Sequence, residues 1–188
     1  MRQYDVVVAR AALIDHLVAN ALRTDGPFTL RGGAVSAWYL DGRQTTFDGV
    51  GARLVGEAIL SVLRGEVKAV GGMTMGADPI AVATAMTAAG RGRDLKAFSI
   101  RKEDKDHGTG GRLVGPVHPG MPLAVLEDTT TTGSAAVEAA RYLIDHGFQV
   151  VQAIALVDRS GGRAKESFAA LGIEHRSLVL PADLGVTP

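Results

Sequence analysis

Apolar residues along this chain recur with two rhythms, and the change from one to the other marks out its elements. From about Asp5 to Leu22 the spacing is helical. Val7, Ala11, Ile14, Val18 and Ala21 form one stripe, which Leu13, Leu17 and Leu22 widen. Asp25-Gly26-Pro27 ends that helix. Phe28-Thr29-Leu30-Arg31-Gly32-Gly33 then leads into a short β-prone stretch, Ser36 to Asp41. Thr45 or Thr46 is placed to cap a second helix that reaches about Leu63, with Leu54, Ala58 and Val62 inward. Beyond it the alternation becomes regular. Val67 to Val70 predicts a short buried strand. Asp78 and Pro79 suit the N-cap and first residue of a helix that runs to about Ala89. Leu95–Ile100, Leu123–Leu126, Val150–Val157 and Arg176–Leu180 predict four more strands, with helices near Ser134–His146 and Arg163–Ala170. The expected fold is α/β, a mostly parallel central sheet with helices on both faces and right-handed crossovers. Ligands in such sheets bind beyond the carboxyl ends of the strands.

Composition narrows the function classes. At 188 residues the chain is expected to form a single domain, residues 1–188, with a substantial core. Its formal net charge is zero, which argues against a nucleic acid or a membrane surface as partner. Cysteine is absent, so disulfides, zinc–thiolate sites and a thiol nucleophile are excluded. The first residues lack an apolar signal core and no apolar run would span a bilayer, so a cytoplasmic location is expected.

Candidate chemistry gathers between Val125 and Ala136. An apolar run delivers two adjacent acids, Glu127 and Asp128. Thr129, Thr130, Thr131, Thr132, Gly133, Ser134 and Ala135 follow, and an amphipathic helix begins whose inward face is expected to carry Ala136, Val137, Ala140, Leu143 and Ile144. A helix N-terminus offers unpaired N–H groups and partial positive charge to a phosphate. Gly133 lets the backbone come close, and the hydroxyls add donors. Acids beside a phosphate would repel it unless they face sugar hydroxyls or a hydrated cation. No Gly-Lys-Ser/Thr occurs, and no Gly-x-Gly-x-x-Gly joins a strand to a helix here, so neither a Walker loop nor a dinucleotide fingerprint accounts for the turn. The pattern resembles the phosphoribosyl-pyrophosphate (PRPP) motif of type I phosphoribosyltransferases.

A long interval between Ile100 and Leu123 breaks the alternation. It opens with Arg101, Lys102, Lys105 and His107 and continues rich in glycine, the composition of a flexible cationic lid over about residues 101–115. Arg101-Lys102-Glu103-Asp104-Lys105-Asp106-His107-Gly108 is similar to the lid of the orotate phosphoribosyltransferase family. Phe28 to Gly33 with Ser36, and Leu156-Val157-Asp158-Arg159, resemble two further segments of that family in the same order.

The resemblance implies the type I phosphoribosyltransferase fold with a small N-terminal hood (residues 1–46). It also implies Mg²⁺-dependent transfer of ribose 5-phosphate from PRPP to orotate. PRPP would be held by Arg101, Lys102, Lys105, His107, Glu127, Asp128 and the 129–135 turn. Lys102, Lys105, His107 and Asp128 would be the catalytic set, and Thr131, Arg159 and Arg31 would meet orotate. Trp38 and Tyr39 align with an aromatic pair near the pyrimidine. Mg²⁺ would be carried mainly by PRPP and water, with no dedicated metal site on the protein. The lid would close over a partner subunit's site in a homodimer. One departure stands out: Thr74-Met75-Gly76 replaces the Tyr-Lys-Gly of many members, so a cation toward pyrophosphate is missing. A purine or uracil phosphoribosyltransferase, or a non-catalytic PRPP-sensing regulator of the same fold, is the alternative. The lid and Arg159 favour orotate, whose carboxylate calls for a cation.

Overall fold

The computed structural model describes residues 3–29, 33, 35–103 and 111–187, with residues 3–8 by their backbone alone. The order of elements is α1 (Gln3–Asn20), β1 (Leu22–Arg23), β2 (Phe28–Thr29), β3 (Val35–Ser36), β4 (Tyr39–Leu40), α2 (Arg43–Thr46), α3 (Gly49–Val62), β5 (Ala69–Met73), α4 (Ala77–Ala89), β6 (Lys96–Ile100), β7 (Leu113–Val114), β8 (Pro122–Thr130), α5 (Ser134–Asp145), β9 (Gln149–Asp158), α6 (Arg163–Ala169) and β10 (Glu174–Val179), closed by a 3₁₀ turn, Pro181–Leu184. Six strands form the central sheet in the order β10-β9-β8-β5-β6-β7. All neighbours are parallel except β7, which pairs antiparallel with β6 at the edge. Two antiparallel ribbons, β1 with β4 and β2 with β3, make the small layer near the N-terminus.

The pleat divides the core. On β8, Ala124 and Leu126 face a cluster built with α1, α3 and α4, while Leu123 and Val125 face one built with α5 and α6. Side chains two apart share a face, so burial on both sides reads as a continuous apolar run.

Several local expectations are corrected. On α1 the buried line is Ala9, Leu13, Leu17 and Ala21, whereas Ala11 is exposed and Val18 is 43% exposed. Leu13, Leu17 and Ala21 take the inward places expected of them with Ile14 packed against the same cluster, so the true line is narrower than the stripe and leaves Ala11 and Val18 out. The cap of α3 is neither Thr45 nor Thr46 but Asp48, whose carboxylate accepts from Gly51 N at 2.8 Å. Both threonines are buried in the preceding turn α2. Asp78 lies inside the first turn of α4, whose N-cap is Gly76, and its carboxylate accepts from Thr74 Oγ1 at 2.6 Å. Strand β5 continues through Gly71-Gly72 to Met73. Side chains at either glycine would collide with the carbonyls of Phe98 and Leu126. On α5, Ile144 is 42% exposed and Ala139 takes its place inside.

Candidate active site

Strands β5, β8 and β9 end side by side, and the hood closes over them. The result is a cleft with two lobes that share Thr74, Gly76, Lys102 and Asp128. The lobe under the hood, about 840 Å³, is walled by Tyr39 to Arg43, Met75, Thr131, Thr132 and Arg159. The other, about 460 Å³, is walled by Glu127, Ser134, Ala135 and Glu138.

Strand β8 carries the acid pair to the floor and keeps its ladder to Thr130, longer than the sequence pattern predicts. Glu127 accepts from Thr130 Oγ1 at 2.6 Å. Burial pushes its carboxyl up to about 7, the nearby Asp128 and Asp158 push the same way, and the Thr130 bond opposes them. Burial also raises the Asp128 carboxyl, against a hydrogen bond from Thr129 N at 2.7 Å and the attraction of Arg43. The backbone of Gly76 lies so close to Asp128 that a Cβ there would stand 2.7 Å from Oδ1. Two carboxyls held toward their neutral forms mark a place short of positive charge.

After β8 the chain turns at Gly133, whose φ of +82° puts it in the left-handed region and which has no side chain to cap α5. Ser134 N donates to Thr132 Oγ1 at 3.3 Å, and the N–H groups of Ala135 and Ala136 behind it are open to an anion. Thr132 Oγ1 and Ser134 Oγ lie 3.0 Å apart at the entrance, and Thr131 and Thr132 are exposed there. Thr130 faces inward, with its hydroxyl given to Glu127. The Thr129 hydroxyl is buried and has no partner among the described residues.

At the end of β9, Arg159 is fixed from three sides. Its N–H donates to Thr130 O at 2.9 Å, its guanidinium carbon lies 3.9 Å from the centre of the Trp38 ring, and Nη2 donates to Ser36 Oγ at 3.3 Å. Trp38 is itself buried and tied by Nε1–H to Thr187 O at 2.7 Å. Desolvation by burial lowers the Arg159 pKa from its ordinary value, a sign that the guanidinium lacks a counter-charge. Asp158 points away: burial would raise its carboxyl, but hydrogen bonds from Ser160 and Ser177 prevail and hold it low.

The two ends of the segment expected to form a lid pair with each other. Arg101 N donates to Arg112 O at 2.9 Å, and Arg112 returns a bond from Nε to Arg101 O at 2.7 Å. Arg112 is anchored by Glu138 on α5 at 2.6 Å. Arg101 is half-buried at this junction and Lys102 lines the cleft. Lys105, His107 and Arg31 lie outside the described residues.

The structure thus brings Glu127, Asp128, the 129–135 turn, Lys102 and Arg159 to one cleft. It also brings in two side chains that the sequence reading passes over, Asp41 and Arg43. Their only signal is an Asp-x-Arg directly after the β-prone stretch. Among the described residues no cluster of three or more His, Asp or Glu could hold a metal ion by itself.

Comparison with known proteins agrees with this geometry. No family model matches the chain. The orotate phosphoribosyltransferase of Rhodopirellula baltica is 40% identical over 185 residues, covering 95% of this chain and 95% of that protein. The Mycobacterium tuberculosis orotate phosphoribosyltransferase, solved with Fe(III) dicitrate, superposes with a TM-score of 0.83 at 32% identity, over 95% of this chain and 99% of that one. The same enzyme in complex with 5-phospho-α-D-ribosyl 1-diphosphate (PRPP) gives 0.77 at 31% identity, with the same coverage. Full-length similarity at this level leaves one assignment: the chain belongs to the orotate phosphoribosyltransferase family.

Proposed function

We propose that this chain transfers ribose 5-phosphate from PRPP to N1 of orotate, giving orotidine 5′-monophosphate and pyrophosphate, as a step of pyrimidine nucleotide synthesis. The observation that carries the substrate assignment is Arg159, a desolvated guanidinium held against the Trp38 ring in the same cleft as the phosphate-type turn. A planar fork of donors matches a carboxylate bidentately, and a neutral base would leave that charge unanswered.

In this reading the 5′-phosphate sits on residues 129–135 at the start of α5, with Thr131 also meeting orotate. Asp128 and Glu127 face the ribose hydroxyls. Orotate N1 gives up its proton to solvent or to the departing pyrophosphate, its lone pair forms the new bond to C1, and the C1–O bond breaks with its electron pair leaving on pyrophosphate. Positive charge develops at the anomeric carbon, and negative charge on the leaving group. Arg101, Lys102, Lys105, His107 and Arg31 are the basic groups assigned to hold the anions. The charge-starved acid pair suits a divalent cation that arrives with the pyrophosphate. Mg²⁺, which prefers oxygen ligands and retains waters, supplies neutralisation of the leaving group when bound.

We further propose one domain over residues 1–188 with a lid at 101–115, acting as a cytoplasmic homodimer in which each lid serves the neighbouring site. Val82 and Met86, one turn apart on α4 and exposed at 51% and 71%, offer an apolar face for pairing. No described helix is long and apolar enough to cross a membrane. A spectrophotometric assay with orotate, PRPP and Mg²⁺, repeated with uracil and hypoxanthine, tests the reading. Product with orotate alone is expected, and equal use of uracil would overturn the assignment.

A further inference from the structure

The turn after β5 gives the cleft no cation. Met75, 61% exposed, stands in its wall, and a thioether offers an anion neither charge nor a donor. Among the described residues the cations on that wall are Arg43, Lys102 and Arg159. Arg159 is held by Trp38 and Ser36 and is assigned to the carboxylate of orotate, and Lys102 stands at the root of the proposed lid. Arg43 comes from the hood, on the turn Asp41-Gly42-Arg43, which presses on the end of β8. A Cβ on Gly42 would lie 3.4 Å from Thr129 Oγ1 and 3.9 Å from Asp128 Cβ. The Arg43 Nε–H donates to Asp41 Oδ1 at 2.7 Å, and its two Nη groups have no partner among the described residues.

We infer that Arg43 is a binding residue for the diphosphate of PRPP, supplying from the hood the positive charge that Met75 leaves out of the β5–α4 turn. The inference rests on the proposed reading of the chain as a PRPP-dependent transferase. A guanidinium with both Nη groups available can take two phosphate oxygens at once. Asp41 keeps the guanidinium aimed while the cleft is empty, but its own charge opposes an incoming anion. The two residues therefore act with opposite sign on anion affinity, although they form one ion pair. That opposition separates a binding role from a structural one, because a brace would be weakened by removing either half.

The test is calorimetric titration of the full chain with inorganic pyrophosphate in the presence of magnesium, alongside steady-state kinetics. Arg43→Ala should weaken pyrophosphate binding and raise KM for PRPP by about tenfold or more, the loss of a charge-assisted hydrogen bond, with KM for orotate within about twofold. Asp41→Asn should tighten pyrophosphate. Adding Met75→Lys to Arg43→Ala should recover most of the lost affinity. An exposed ion pair contributes little to stability, so the variants are expected to fold. Unchanged pyrophosphate affinity in Arg43→Ala, or equal weakening by Asp41→Asn, would overturn the inference. A wild-type chain that makes no product from orotate and PRPP would instead sink the proposed function, and the pyrophosphate titration would still decide the role of Arg43.

Discussion

Glu127→Gln gives the sharpest test of how the floor of the cleft is built. In the folded chain burial moves this carboxyl from 4.5 to about 7. Folding therefore favours the protonated form, and stability falls as pH rises between those values. Below 4.5 the group is neutral in both states and costs nothing. Above 7 it is ionised in both, and the whole penalty of holding a desolvated carboxylate is present. At about 1.36 kcal/mol per tenfold change in proton affinity the interval amounts to roughly 3 kcal/mol. The substituted amide cannot ionise, and its oxygen can still accept from Thr130 Oγ1. The variant should thus be more stable than the parent by about 3 kcal/mol more at pH 8 than at pH 4.5. Titrating groups that do not act on Glu127 (Asp41, Asp48 and Asp183 among them) are common to both proteins and cancel in the difference. Urea unfolding of ligand-free protein at several pH values measures it. A stability difference that stays flat from pH 4.5 to 8 would show that Glu127 is not held in a charge-starved site.

Three further outcomes follow from the same geometry. Binding of PRPP with Mg²⁺ near pH 7 should release a fraction of a proton as positive charge draws Glu127 to its ionised form. Calorimetry in buffers of different ionisation enthalpy detects this, and the release should be smaller in Glu127→Gln, the remainder coming from the phosphates of PRPP. Gly76→Ala places a methyl group 2.7 Å from Asp128 Oδ1. It should cost about 1–3 kcal/mol by overpacking and raise KM for PRPP, as read by denaturation and steady-state kinetics. Arg159→Lys keeps the charge but loses the planar fork and its stacking on Trp38. KM for orotate should rise about tenfold or more while KM for PRPP changes little, and equal effects on both would remove Arg159 from the base subsite.

The sequence discloses most of what depends on local order. The strand–helix alternation, the acid pair at the end of β8 and the turn into α5 are all legible because each is set by neighbours in the chain. What fails has its cause elsewhere. Thr45 looks like a cap, yet it is buried in contact with His16, and Asp48, three residues on, binds Gly51 N instead. The α1 stripe is drawn too broad, taking in Ala11 and Val18, because helical spacing alone does not say which line of a broadly apolar helix meets the core. Asp78 and Pro79 carry a start signal, but Ala77 is already helical. Arg43 escapes notice for a similar reason: nothing in an Asp-x-Arg reveals that the hood folds back onto Thr129. Arg159 is legible as a candidate, but its support is not, since Trp38 and Ser36 stand more than a hundred residues away in sequence.

These distant supports explain why the cleft can hold groups that would be unfavourable elsewhere. Charges of both signs are partly desolvated but kept apart: Glu127 and Asp128 on the floor, Arg159 at the end of the neighbouring strand. Had Arg159 been paired with Asp128, both would be stabilised and neither would be free to meet a ligand. The hood prevents that pairing by giving the guanidinium an aromatic face and a hydroxyl, which position it without neutralising it. Asp158, the next residue in sequence to Arg159, is likewise withdrawn by Ser160 and Ser177. Two substrates bound side by side, one bringing a carboxylate and the other a cation-laden diphosphate, would answer both deficits together. Each would find the opposite charge already in place, so little binding free energy would go into reorganising the protein. The stability forgone at Glu127 is in this sense the counterpart of a preorganised site.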